Sequence, residues 1–266
     1  MKRRWGTIAL WVVTALGFVY LFVPIITIAA FSFNDPGKSK FNTSWNAFTL
    51  ENWRHAFESS DLTRALKESL LVAAIACAIA TVLGALVALA LTRYKMKGGV
   101  LIGLLLVLPL TTPEIVMGAS LFTLFFNQGV DRGFTTVVIA HVAFCVSFVA
   151  LTVKARIRGF DWTLEDAAAD LGSPPLRTFR KVTLPLITPG IIAAFLLSFA
   201  LSIDDYIITS FVAGSVTTLP LEIFDSAKVT IPPQVHVLAT TIMLVSVSVI
   251  LVGTVWGNRR RSRLGA

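Results

Sequence analysis

The chain has 266 residues, of which 55% are hydrophobic and 14% are Asp, Glu, Lys or Arg, with a formal net charge of +8. A soluble domain carries about 25% charged residues. Here the apolar residues gather into runs of about 20 or more, the length that crosses roughly 30 Å of hydrocarbon. That pattern excludes a disordered chain, a collagen-like repeat and a disulfide-stapled miniprotein, and it points to an all-α integral membrane protein.

Apolar runs at about 7–31, 68–92, 100–126, 134–153, 189–213 and 237–257 predict six transmembrane helices. The first follows Lys2-Arg3-Arg4 but is far longer than a secretory-signal core, and no A-x-A site follows, so an uncleaved helix is expected. Segment 32–67, with Phe41, Trp45, Phe48, Trp53 and Phe57, suits a short packed excursion at the outer interface. Cys77 and Cys145 both lie inside apolar runs with no CxxC or His-spaced neighbour, so they read as core residues. In the third run Pro109 and Pro113 bracket Thr111 and Thr112, which predicts a bend that exposes backbone carbonyls. His141 opens the fourth run and reads as a hydrogen-bond partner before it reads as a proton relay. Gly99 and Gly103 have the GxxxG spacing of close helix packing, and Gly84, Gly118 and Gly190 suggest the same. These elements divide the chain into residues 1–65 (first helix and external loop), 66–257 (a five-helix core interrupted by loop 154–188) and 258–266 (a basic tail).

Sixteen of the 23 basic residues fall on one side of these runs. They are Lys2, Arg3 and Arg4, then Arg93, Lys95 and Lys97, then Lys154, Arg156, Arg158, Arg177, Arg180 and Lys181, and finally Arg259, Arg260, Arg261 and Arg263. The other side holds Lys38, Lys40, Arg54, Arg64, Lys67, Arg132 and Lys228. The richer side is expected to face the cytoplasm, with both termini inside. The basicity is thus a topology signal, and nucleic acid is not an expected partner.

Loop 154–188 has legible helix-terminus chemistry. Thr163-Leu164-Glu165-Asp166 fits a capping box, Ala167, Ala168 and Ala169 favour helix, and Gly172 fits the left-handed C′ position with Pro174 and Pro175 beyond it. Ser173 before Pro174 predicts the N-cap of a second short helix to about Thr183, which Pro185 and Pro189 should end. An ordinary solvated loop has no need of Leu171, Leu176 and Phe179, which suit a helix docking into a partner's groove.

The stretch Glu165-Asp166-Ala167-Ala168-Ala169-Asp170-Leu171-Gly172, followed by Phe179, Val182 and Leu184-Pro185, resembles the EAA motif of permease subunits of ABC importers. That pattern is Glu-Ala-Ala, a glycine four residues after the second alanine, then a hydrophobic residue and Leu-Pro. Here Asp166 stands in the glutamate's place, with Glu165 before it. The resemblance implies a MetI-like type I permease core over roughly residues 66–257 with one extra N-terminal helix, in a bacterial cytoplasmic (inner) membrane. It also implies that Glu165, Asp166, Ala167, Ala168, Leu171, Gly172, Leu176 and Phe179 enter a cleft of an ATPase subunit. No G-x-x-x-x-G-K-[ST] sequence is present, so the chain is expected to be a transport subunit and not an enzyme, with no cofactor of its own. ATP and Mg would be bound by a partner ATPase dimer. A second homologous permease, giving a heterodimer, and an extracytoplasmic solute-binding protein complete the implied assembly.

Within that family the chain is most similar to spermidine/putrescine permease subunits, through Pro113-Glu114-Ile115-Val116-Met117, His141-Val142-Ala143-Phe144-Cys145, Leu201-Ser202-Ile203-Asp204-Asp205 and Leu219-Pro220-Leu221. Iron, sulfate and thiamine permeases share parts of these stretches. A small cationic polyamine is therefore the expected substrate, with another small solute (iron, thiamine or an amino acid) as the alternative.

Asp204 and Asp205 fall inside the fifth run, where each centrally placed Asp costs roughly 2.5–3.5 kcal/mol on insertion scales. Helix phase puts Asp205 on a stripe with Ser198, Ser202 and Thr209, and Asp204 with Leu197, Leu201, Ile208 and Phe211. Asp205 is thus expected in a polar pathway, and Asp204 in packing or partner contact. Ser202 to Asp205 also fits a loose cap pattern that would break the helix. Glu114 lies ~21 Å and Asp205 ~24 Å along their helices at 1.5 Å per residue, so both acids fall at similar depth. With Tyr206 available for cation–π contact, they would favour a polycation. Glu114, Ser202, Asp204, Asp205, Tyr206 and Thr209 are the expected pathway residues. A proton-coupled secondary transporter using Asp204, Asp205 and His141 is disfavoured by the partner-like loop and the missing internal repeat. An intramembrane aspartyl hydrolase is disfavoured because adjacent acids diverge by about 100° on one helix.

Overall fold

The computed structural model describes residues 2–37, 42, 44–94 and 96–264, with side chains described only within 7–8 and 10–248. Lys38, Lys40, Phe41 and Lys95, and the side chains of Lys2, Arg3, Arg4 and the basic tail, lie outside the described residues. The apolar runs are helical because, with no water to bond the backbone, a helix satisfies each N–H and C=O internally. In chain order the helices are α1 (Lys2–Phe31), α2 (Glu51–Arg54), α3 (Ser60–Arg93), α4 (Gly99–Thr111), α5 (Glu114–Asn127), α6 (Phe134–Ile157), α7 (Thr163–Asp170), α8 (Pro175–Thr178), α9 (Leu184–Ile203), α10 (Ile207–Val212), α11 (Leu219–Ala227) and α12 (Pro233–Leu264). A π-helical turn, Phe179–Thr183, joins α8 to α9.

Among the described residues, four stretches are long and apolar enough to cross a bilayer: Leu10–Phe31, Ser60–Arg93, Phe134–Ile157 and Pro175–Ile203. A fifth is gained if α4 and α5, bent by 107°, count as one span. Of the sixth predicted run, the described apolar part is Pro233–Ser248. The chain divides into two units, residues 1–63 with 223–266, and residues 64–222.

In the first unit, α12 packs against α1 and α2. Residues 32–53 fold around buried asparagines. Asn34 donates to Asn42 Oδ1 (2.5 Å) and the Ser44 carbonyl (2.8 Å), while Asn52 donates to the Ser32 and Asn34 carbonyls. Phe33 stacks on Phe48 and Trp53 at 5.7 and 5.3 Å between ring centroids. These polar side chains take up backbone groups that no helix or sheet satisfies.

In the second unit α6 is the central helix, packed against α4, α9 and α10. Glycines set its closest approaches. A Cβ on Gly84 would fall 2.7 Å from Val149 Cβ, and one on Gly190 would fall 2.6 Å from Arg156 Cγ. A Cβ on Gly118 in α5 would fall 2.6 Å from the Phe211 ring on α10. The GxxxG pair behaves otherwise. A Cβ on Gly103 would meet nothing within 4 Å, and one on Gly99 only Leu91 of α3 at 3.7 Å, an ordinary contact, so among the described residues this spacing makes no unusually close helix approach.

Prolines reshape the spans in two different ways. Pro113 disfavours helix at Thr112, which is extended (φ −76°, ψ 132°), and the expected bend becomes a full corner. Pro185 and Pro189 do not end a helix as predicted: helical structure runs unbroken from Pro175 to Ile203. Pro185 has no N–H to offer the continuous helix, and the backbone just before it widens into the π turn.

Candidate functional site

Two clusters of side chains stand out in residues 64–222. The first is the helical pair α7–α8. Thr163 is the first helical residue and not the N-cap that the sequence suggested. Its N–H and Oγ1 donate to Asp161 Oδ1 at 3.1 and 2.7 Å. The Thr163 hydroxyl, and then its backbone N–H, hold the Asp161 carboxyl below the ordinary range. At the other end Gly172 takes the left-handed conformation (φ +75°), and the Gly172 and Ser173 N–H groups donate to the Ala169 and Ala168 carbonyls. Ser173 does not cap α8. The Pro174 carbonyl receives the Arg177 and Thr178 N–H groups instead, with no side-chain cap.

The predicted residues of this region then sort by exposure. Glu165 is buried, accepts a hydrogen bond from Thr183 Oγ1 in the π turn, and pairs with Arg93 at the end of α3. The Arg93 guanidinium also lies 5.5 Å from the Trp162 ring centroid. Asp166, Ala167 and Gly172 are exposed, and Ala168 and Phe179 are half-buried. Leu171 is 89% and Leu176 69% exposed, too much apolar surface at one tip to serve packing within the chain. Beside Leu176 a groove of about 480 Å³ is lined by Pro174, Arg177, Arg180 and Lys181. Arg93 and Thr183 were not found from sequence, since nothing in their own neighbourhoods pairs them with Glu165.

The second cluster surrounds a break in the fifth predicted span. α9 ends at Ile203, residues 204–206 are non-helical, and α10 restarts at Ile207. The cap is Asp205 and not Ser202. Asp205 Oδ2 accepts the Thr209 N–H (2.8 Å) and Thr209 Oγ1 (2.6 Å), and Oδ1 accepts the Ile208 N–H (3.4 Å). His141 of α6 meets the same group. Its Nδ1 lies 2.7 Å from Ser202 Oγ, and its Nε2 lies 2.9 Å from Thr209 Oγ1 and 3.4 Å from Asp205 Oδ2. Ser198, Ser202, Asp205 and Thr209, the stripe that helix phase predicted, are all buried. The expected hydrogen-bonding role of His141 is what the structure displays.

Asp204 is exposed, Tyr206 half-buried, and Glu114, the first residue of α5, exposed at the α4–α5 corner. Glu114 lies within electrostatic reach of both Asp204 and Asp205, so the corner and the break bring all three acids together. The breaks are responsible, because on uninterrupted helices Asp205 would be the pathway-facing acid and Asp204 the packed one. Among the described residues no group of His, Cys, Asp and Glu is arranged to hold a metal ion.

Residues 80–259 match the family described as the binding-protein-dependent transport system inner membrane component. The chain is 37% identical to the spermidine/putrescine transport system permease protein PotC of Haemophilus influenzae, over 88% of this chain and 90% of that one. It is 36% identical to the putrescine transport system permease protein PotI of Escherichia coli, over 87% and 84% of the two chains. Among solved structures it resembles a bacterial alginate ABC transporter in complex with a pentasaccharide-bound periplasmic protein, with a TM-score of 0.68 at 16% identity over 92% of each chain. At that identity the likeness concerns fold alone. An apolar helical chain matched over residues 80–259, and similar to permeases over most of their length, belongs to the binding-protein-dependent family of inner-membrane components and is a multi-pass permease subunit of an ABC importer.

Proposed function

We propose that this permease carries polyamines of the spermidine/putrescine class inward, and that α7–α8 receives the power stroke of a cytoplasmic ATPase dimer. One observation carries the coupling role: a helical pair braced through Glu165 to Thr183 and Arg93, yet apolar and exposed at Leu171 and Leu176. A helix that must transmit force needs a stiff base and a sticky tip, and this pair has both. Asp166, Ala167, Ala168, Gly172 and Phe179 form the rest of the docking face. The polyamine substrate is supported by the names of the relatives and by Glu114 and Asp204, two exposed carboxylates within electrostatic reach. Amines several carbons apart on one flexible chain can meet two such carboxylates at once, with Tyr206 alongside for cation–π contact.

In this reading six spans cross the membrane with both termini in the cytoplasm, where the sixteen basic residues gather. A second homologous permease completes the pathway, a solute-binding protein delivers the substrate from outside, and ATP and Mg belong to the ATPase. Reconstitution with these partners in proteoliposomes tests the whole. Spermidine or putrescine with its binding protein should stimulate ATP hydrolysis and accumulate inside. No stimulation by any polyamine, with stimulation by another solute, would replace the substrate.

A further inference from the structure

Asp205, Thr209, Ser202 and His141 form a buried cluster that neither the docking face nor the two exposed acids use. The imidazole lies on α6 and reaches both sides of the break, Ser202 in the last turn of α9 and Thr209 in the first turn of α10. Proton accounting orders the cluster. Thr209 Oγ1 has one hydrogen, and at 2.6 Å it goes to Asp205 Oδ2. The contact with His141 must therefore be Nε2–H donating to Thr209 Oγ1. In the neutral ring Nδ1 is then free to accept from the Ser202 hydroxyl. Every polar hydrogen in the cluster has a destination, and all four side chains are buried. Two further bonds tie α6 to the same half-helices: Thr136 Oγ1 donates to the Val212 carbonyl at 2.8 Å, and Cys145 Sγ lies 3.7 Å from the Ser198 carbonyl.

We infer that His141 is a positioning residue: it holds the ends of α9 and α10 at a fixed separation, and so sets where the non-helical Asp204 stands opposite Glu114. Without the ring, Asp205 still caps α10, because its bonds to Thr209 and Ile208 are local. What is lost is the bridge from Ser202 to Thr209 across the break itself, while Thr136 and Cys145 keep one bond each to α10 and α9. The break then becomes a hinge, and Asp204 loses its fixed place. The consequence for transport rests on the proposed role of Glu114 and Asp204, whereas the consequence for the hinge does not.

The test uses the assembled importer in proteoliposomes. Spin labels at the exposed positions Leu197 and Ser210, one on each half-helix, report the separation by pulsed electron–electron resonance. Uptake of loaded binding protein's polyamine and ATP hydrolysis are measured together. His141→Leu should broaden the distance distribution and lower polyamine moved per ATP at least fivefold. His141→Gln, whose amide can still donate toward Thr209, should recover at least half of both. A variant that merely lowers the amount of folded complex would reduce uptake and hydrolysis in proportion and leave their ratio unchanged. If His141→Leu does not assemble, Ser202→Ala cuts the tie on one side only and should give the same changes at smaller size. An unchanged distance distribution in the tied-off variants overturns the inference. If Glu114→Gln and Asp204→Asn both keep the wild-type ratio while His141→Leu still broadens the distribution, the pathway reading fails and the latch stands.

Discussion

The chain carries two pairs of adjacent acids, Glu165-Asp166 in α7 and Asp204-Asp205 at the α9–α10 break, and both pairs are divided in the same way. One member is buried and committed to internal bonds: Glu165 to Thr183 and Arg93, Asp205 to Thr209 and His141. Its neighbour, Asp166 or Asp204, is exposed. The partners differ with the surroundings. Glu165 has a cation whose side chain is 43% exposed, so water shares in solvating that pair. Asp205 has only hydroxyl, amide and imidazole groups, and its cluster is closed. A buried acid that braces the backbone is what allows the adjacent acid to be held at a defined place while facing another molecule.

The largest effect should come from removing the more enclosed brace. Asp205→Ala strands the N–H and the hydroxyl hydrogen of Thr209, while His141 Nε2–H keeps its acceptor in Thr209 Oγ1. Each unsatisfied buried group costs about 1–3 kcal/mol, so a total of roughly 2–6 kcal/mol is expected for the two. Thermal unfolding of the purified complex, followed by loss of monodisperse protein on size exclusion, measures it. Wild-type thermal stability would mean that the two braces are not alike after all.

How legible these braces were in the sequence depends on what holds them. The spans followed from apolar runs, and the stripe Ser198, Ser202, Asp205 and Thr209 followed from helix phase, because both are properties of one segment. The α4–α5 corner was half legible: Pro113 announces a bend, but the backbone at Thr112 and the packing of α5 on α10 decide that it becomes 107°. The exposure of Asp204 was only faintly legible, since it depends on a non-helical 204–206 that no proline or glycine marks and only a loose cap pattern announces. By sequence alone Glu165 reads as a docking residue, because Thr183 and Arg93 meet it only in the fold. The π turn stands just before Pro185, one of two prolines that, read locally, should have ended a helix.

The next effect separates the tip of α7–α8 from its base. Leu171→Glu and Leu176→Glu should each change the permease's own stability by less than about 0.5 kcal/mol, as expected for surface positions. Burying a leucine is worth about 1.5–3 kcal/mol, so each substitution should weaken ATPase association by roughly 10- to 100-fold. Titration of the ATPase onto permease in nanodiscs reads this directly. Unaltered ATPase affinity in both variants would place the docking face elsewhere. Glu165→Gln should do the opposite at smaller scale. It keeps an acceptor for Thr183 but loses the charge facing Arg93, lowering stability by about 0.5–1.5 kcal/mol with little change in ATPase affinity.

The smallest effect distinguishes the two regions by solvent. Helix α7 and helix α10 begin alike, each with an aspartate accepting both the N–H and the hydroxyl of a threonine. Asp161 stands in water, whereas Asp205 is enclosed, so only the first cap should answer freely to pH. The Asp161 carboxyl is held below its ordinary value of 3.8 by the Thr163 hydroxyl and N–H. A depressed carboxyl stabilises the folded form above its unfolded value, and that stabilisation disappears as pH falls through the folded value. Amide exchange in the first turn of α7, corrected for its intrinsic pH dependence, should therefore stay constant from pH 7 down to about 4 and rise below that. Asp161→Asn keeps an acceptor without an ionisable group and should abolish the rise, while Asp161→Ala should show fast exchange at every pH. Exchange that stays flat across the whole range in the unmodified protein would show that the carboxylate cap is not formed, and that the likeness between the two helix starts does not hold.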